Sequence, residues 1–273
     1  MTREFFVTTL ALVSVLATAN IAHAQRASAC ADLPDQATLK EKLTAARGAA
    51  NGGFSLDMRA TVVNRDGIVC AVAFTGGNRG DQWPGSRVIS AQKANTANAF
   101  GLPGLALSTA NLYSAVQPGG SLFGLQESNP VNVDVAYGGS PSNYGQPNDP
   151  MVGGRIGGVN VFGGGLGLYN SSGVLVGAIG VSGDTSCADH NIAYRTRHTL
   201  NLDFTPGGVA DPAHHDNAIY DIDYQGGGDA GAPAAGQMPG VSASGFGHPS
   251  CHGYNAGGNA TDSAASALLP PNQ

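Results

Sequence analysis

Cys187, Asp189 and His190 place a thiol, a carboxylate and an imidazole within four positions, at the start of a helix-forming stretch. A thiol at a helix N-terminus is acidified, and an imidazole three residues on lies within reach of it. The trio could therefore do nucleophilic chemistry on a small carbonyl or thiol substrate. His190, Tyr194 and His198 recur at i, i+4 and i+8 and share a line on the same helix. His190 and His198 are two turns apart, about 12 Å along the axis, so they cannot ligate one metal from the same face. His214-His215-Asp216 reads as a solvated turn. The run from His248 to Cys251-His252 lacks the first cysteine of a C-x-x-C-H attachment motif. Neither is expected to hold a metal. The triplet Gly163-Gly164-Gly165 precedes a strand, so no helix N-terminus awaits a phosphate there. Ser182-Gly183-Asp184 does precede a helix, but Asp184 would repel one. Close approach of the glycine backbone to a flat ligand or a neighbouring strand fits better.

The thiol reading competes with a disulfide. Arg3, the apolar run Phe5 to Ala19 and Ala22-His23-Ala24 form a signal peptide over residues 1–24, with Gln25 as the new N-terminus. All four cysteines, Cys30, Cys70, Cys187 and Cys251, survive cleavage. An even number in an oxidising compartment favours two disulfides, for which three pairings exist. Cys30 with Cys70 and Cys187 with Cys251 is the pairing expected here, and it removes the Cys187 nucleophile. No later apolar stretch is long enough to span a bilayer. A periplasmic or secreted protein follows. The formal net charge of -6, without a basic stripe, argues against nucleic acid as a partner.

The elements that must position these residues are punctuated by glycine, 41 of 273 residues. Leu39, Leu43 and Ala46 give the spacing of a helix over Asp35 to Ala50. Phe54 to Asn64 alternates as a strand, Arg65-Asp66-Gly67 is a hairpin turn, and Ile68 to Thr75 returns. Ser86 caps a helix over Arg87 to Phe100, and Leu105 to Val116 reads as a second, short one. Residues 129–151 are rich in Asn, Pro, Gly and Ser and form a long inserted loop; its length points to a function, against the alternative of a solvated excursion. Leu166 to Tyr169, the turn Asn170 to Gly173 and Val174 to Val181 form a second hairpin. Ser186, with Asp189 in a capping-box position, opens the helix to Leu200, buried along Ala188, Ile192, Thr196 and Leu200. The extension 206–273 is irregular, with an edge strand over Ile219 to Tyr224 and a frayed end from Ala256.

Three stretches together resemble the GlcG/HbpS-like haem-binding family: Thr61 to Gly67, the helical Ser90 to Ala97, and Val176-Gly177-Ala178-Ile179-Gly180-Val181-Ser182-Gly183. The resemblance covers roughly Leu33 to Asp203; the insertion and the extension depart from short members of the family. It implies an α/β (α+β) fold, a central antiparallel sheet flanked by helices, within one domain over residues 25–205. It also implies homo-oligomers and haem or a related tetrapyrrole as ligand, without assigned catalysis. Haem iron accepts His, Tyr, Cys or Met. With the cysteines oxidised, His190 and Tyr194 become the first candidates for cofactor binding, with His198 beside them. The expectation is an exported, non-catalytic haem-binding protein for storage, scavenging or sensing. The rivals are a secreted enzyme using Cys187 and His190, and an envelope interaction module without a ligand.

Overall fold

The computed structural model describes residues 29–222 and 241–251. The chain divides into two units, residues 1–32 and 33–273; of the first, only the last four residues are described. The signal peptide expected over residues 1–24 and the fraying expected from Ala256 lie outside the described residues. The architecture below is that of the second unit.

Helix α1, Gln36–Arg47, starts where the Asp35 carboxylate accepts from the Thr38 amide at 2.8 Å. Strands β1, Arg59–Asn64, and β2, Val69–Phe74, form the first hairpin. Its turn is held by the Asn64 side chain, which accepts from the amides of Asp66 and Ile68. The strand expected from Phe54 begins only at Arg59. The amides of Phe54 and Leu56 are bound instead by the Asp184 carboxylate, at 2.8 and 3.0 Å, and are unavailable to a ladder. Helix α2, Ser86–Phe100, follows. The helix expected over Leu105 to Val116 is two 3-10 turns, Ala110–Leu112 and Ser114–Val116. There the Asn111 side chain bonds back to the amide and hydroxyl of Ser108 and competes with helical pairing. Strands β3, Gly165–Tyr169, and β4, Leu175–Ser182, make the second hairpin, and α4, Ser186–Thr199, leaves its far end.

The four strands lie in the order β2-β1-β4-β3, every neighbour antiparallel. The expected central antiparallel sheet flanked by helices is present. Both faces are covered, so the strands read as apolar runs. Ala60, Val62, Ile179 and Val181 face α1 and α4, packing on Leu39, Leu43 and Ile192. Val63, Val72 and Ala178 face α2, through its small residues Ala91, Ala94 and Ala97. That helix lies close against the sheet. A Cβ on Gly180 would collide with the Ser90 carbonyl oxygen and stand 2.5 Å from the Ala94 amide nitrogen.

The insertion is a cover, not a solvated excursion. It contains a short helix, α3, Val133–Tyr137, capped by the Asn132 side chain. Ala136 and Met151 are fully buried on the α2 side of the core. Arg87 anchors the segment: its guanidinium pairs with both oxygens of the buried Asp149, donates to the Ala136 carbonyl at 2.7 Å, and lies 3.7 Å from the Tyr144 ring centroid.

Gly180→Ala is expected to lower stability by about 1–3 kcal/mol, the usual cost of overpacking. Gly104→Ala, where an added Cβ meets nothing within 4 Å, serves as the control. Paired thermal or urea unfolding curves check this; equal midpoints for the two variants would refute the close-approach explanation.

Candidate functional site

The glycine triplet proves to be a place of close approach between layers. Gly164 has φ +118°, a conformation side chains avoid. A Cβ there would lie 3.1 Å from Lys93 Nζ and 3.2 Å from Asp189 Cβ. Lys93, on α2, passes this point to reach Asp189, on α4, across the sheet: Nζ is 2.8 Å from the Asp189 carboxylate and 3.1 Å from the Val181 carbonyl. Asp189 is thus not the capping-box residue of its helix. Thr185 caps α4 through the Ala188 amide, while Asp189 accepts from the Asp184 amide and from Lys93. Burial pushes the Asp189 carboxyl up to about 6 against the opposing pull of Lys93.

Helix α4 sends its polar residues in two directions. His190, Tyr194 and Arg197 face the interior. The His190 ring is fully buried; its Nε2 accepts from the Ala218 amide at 3.2 Å, and its Nδ1 has no hydrogen-bond partner. Tyr194 lies 6.4 Å from it, ring to ring, with its buried hydroxyl also unpartnered. Burial raises the Tyr194 pKa, which keeps the group a phenol. Arg197 stacks on the Tyr194 ring and makes a fully buried two-point ion pair with Asp216, at 2.6 and 2.7 Å. The reading of His214-His215-Asp216 as a solvated turn is therefore corrected at Asp216. The tail is likewise more ordered than expected at His248, which is fully buried and accepts from the Gly163 amide at 3.2 Å. Of the edge strand expected over Ile219 to Tyr224, the part up to Ile222 is described, and Ile222 makes only an isolated bridge to Pro249.

His198 points elsewhere. Eight residues at 100° each rotate it about 80° from His190, so the shared line of the sequence pattern drifts out of the interior by its third member. His198 lines an open cleft of about 210 Å³ between α1 and the end of α4, walled by Ala45, Ala46, Ala49, Tyr194 and Arg195. Its Nδ1 lies 2.7 Å from the Asp203 carboxylate, which is fully buried. Its side chain keeps 23% exposure. A carboxylate behind one imidazole nitrogen leaves the other facing outward, the arrangement found behind metal-bound histidines. The alanines beside it form an apolar wall. Arg195 at the rim donates to Asn51 and to the Ala50 carbonyl. The cleft is open and smaller than the roughly 300–1,000 Å³ of enclosing small-molecule sites, so it has room for only part of a larger ligand.

The structure thus brings Tyr194 and His198 to one cleft and places His190 outside it. Sequence reasoning missed Asp203, whose relation to His198 depends on how the helix ends. The thiol chemistry considered for Cys187 and His190 is overturned: Cys187 is bonded to Cys251. Cys30 and Cys70 are also disulfide-bonded, and no cysteine is free.

A family model described as "Haem degrading protein HbpS-like" matches residues 35–197. Solved structures similar to this chain include a PduOC–haem complex, at 22% identity, covering 60% of this chain and 94% of that one, with a TM-score of 0.42. Streptomyces reticuli HbpS, as a double mutant, is similar at 19% identity over 59% of this chain and 84% of that one, TM-score 0.38. Klebsiella pneumoniae protein ORFY is similar at 24% identity over 60% and 83%, TM-score 0.38. No curated protein matches the sequence.

The interior rings make stability depend on pH. Burial pushes His190 down to about 4 and His248 down to about 3, from an ordinary 6.5. Their contribution is complete above pH 6.5 and is lost as pH falls through the folded values, at up to about 1.4 kcal/mol per pH unit for each ring. Asp189, raised from 3.8 to about 6, acts oppositely: its contribution is complete below pH 3.8 and is lost as pH rises through 6. Two histidines with the larger shifts outweigh one carboxyl. The urea midpoint is therefore expected to fall between pH 6.5 and 4.5, and less so in His248→Gln. A midpoint that rises on acidification over that range would contradict this.

Proposed function

The chain belongs to the HbpS-like family, and on that premise we propose that it is an exported, non-catalytic haem-binding protein that stores, scavenges or senses haem. The observation that carries the reading to a particular place is the His198–Asp203 pair at the mouth of the alanine-walled cleft. Haem would supply an iron centre that takes an imidazole nitrogen. His198 would be the residue to hold it through Nε2, and Ala45, Ala46 and Ala49 would give the apolar wall beside it. Tyr194 closes the inner wall as a phenol rather than a ligand, because burial opposes its ionisation. His190 stays in the interior, its Nε2 engaged with Ala218. The reading of export draws on the expected signal peptide and on four oxidised cysteines, which suit a compartment without thiol reductants. No helix among the described residues is long and apolar enough to cross a membrane. Assembly into a homo-oligomer belongs to the same reading.

The family's description favours a second reading, degradation of the bound haem. The two separate in one cuvette. Storage predicts that the Soret band of the complex persists under ascorbate and air, whereas degradation predicts its decay with release of iron.

Hemin titration of the mature protein is expected to shift the Soret band at stoichiometric ligand. His198→Ala should weaken binding at least about tenfold, the scale of losing a supported ligand, while His190→Ala and Tyr194→Phe should leave the bound spectrum in place. A folded wild-type protein that leaves the hemin spectrum unchanged would instead point to an envelope interaction module.

A further inference from the structure

Helix α4 ends in a way that mounts a carboxylate behind His198. The chain leaves the helix through Leu200 and Asn201, and Asn201 adopts φ 56°, the left-handed conformation that closes helix C-termini and that asparagine tolerates. Two residues later the chain is fixed to the edge of the sheet. The Tyr169 amide donates to the Leu202 carbonyl at 2.7 Å, and residue 203 forms a parallel bridge with Tyr169 of β3. Asp203 is therefore set by the sheet and His198 by the helix, and their side chains meet at 2.7 Å. The carboxylate is wholly enclosed while the imidazole remains partly exposed at the cleft. Arg197, the neighbouring buried cation, interacts with Asp203 as well as with Asp216. The α4 residues that pack in the core cluster are Ile192, Ala193 and Tyr194; His198 is not among them.

We propose that Asp203 is a positioning residue that fixes the His198 tautomer and, through it, holds iron bound at this cleft in the ferric state. The inference rests on the reading of His198 as the iron ligand. A carboxylate that accepts the Nδ1 proton makes Nε2 more electron-rich. An electron-rich axial nitrogen favours Fe(III) over Fe(II), because the oxidised ion carries one more positive charge for it to stabilise. The couple involves one electron and no change in the ligand set. A site biased to ferric iron has low affinity for dioxygen and carbon monoxide, which bind ferrous haem, and suits custody of haem over oxygen chemistry.

The test uses the mature wild-type protein loaded with hemin, titrated with dithionite and mediators while the Soret band is followed. Asp203→Asn, which keeps the shape and removes the charge, is expected to raise the ferrous-to-ferric ratio at a given potential by tenfold or more, about 59 mV for one electron. Asp203→Ser, smaller and uncharged, gives the same readout if the asparagine variant does not fold. Nitrogen-15 spectra of the haem-free protein supply a second measure: His198 should be protonated on Nδ1 in the wild type and lose that preference in either variant. If hemin binds and both variants match the wild-type potential, the inference falls while the haem reading stands. If the wild type leaves the hemin spectrum unchanged, the haem reading falls and takes the ferric assignment with it. A wild-type His198 protonated on Nε2 would overturn the role of Asp203 whatever the protein binds.

Discussion

A single buried ion pair, Lys93 with Asp189, joins the two layers that the sheet separates. Both side chains are almost fully enclosed, and Gly164 passes close beside them. Such a pair adds little net stability over a well-packed apolar alternative, but removing one partner strands the other and costs about 3–5 kcal/mol. The pair thus ties α2 to α4 at the point where ammonium and carboxylate meet. Gly180 acts in the same direction on the α2 side, where the helix backbone touches the strand. The position of α4 follows from its N-terminal end. His198 lies nine residues on, about 14 Å along the axis, so the clamp at one end of the helix bears on where the imidazole stands at the other.

Along α4 three environments are separated by rotation. Ile192 and Ala193 pack on the sheet, His190 and Arg197 meet the segment around Asp216 and Ala218, and Arg195 and His198 meet the cleft. Tyr194 belongs to two of them, lining the cleft while its ring is stacked by Arg197. Three cations among the described residues are used internally: Arg87 holds the segment around Asp149, Lys93 the two layers, Arg197 the segment around Asp216. Each is paired with an aspartate distant in sequence, which is how a glycine-rich chain with short helices obtains a defined tertiary arrangement.

Much of the architecture was legible in local pattern. The alternation ending at Asn64, the apolar run at Leu175–Ser182, the Asp66-Gly67 turn and the Leu39, Leu43, Ala46 stripe each specify their element directly. What was not legible depended on partners far along the chain. The expected strand start at Phe54 failed because Asp184 captures its amides; the Asp189 cap failed because Lys93 claims the carboxylate. The burial of His248 and Asp216 was hidden by flanking Gly, Ala and Pro residues that read as loose extension. At the candidate site the residue types were visible and their directions were not. An i, i+4, i+8 line looks straight in sequence, yet it turns far enough to put His190 in the core and His198 at an opening. Asp203 had no signal at all, since its role follows from the left-handed residue Asn201 that folds the chain back.

The bond between Cys187 and Cys251 closes a loop of 64 positions and fastens the last described stretch to the first turn of α4. A covalent tie of that span removes about 4 kcal/mol worth of freedom from the unfolded chain, and it does so only once the thiols have been oxidised. Completion of this fold is thus linked to an address: chains still inside a reducing cytosol would hold the sheet and its helices without the lock on their C-terminal stretch. Because Cys251 follows every strand and helix described above, the lock can close only after all of them have been made, which makes it a late step in maturation rather than a guide for the earlier ones.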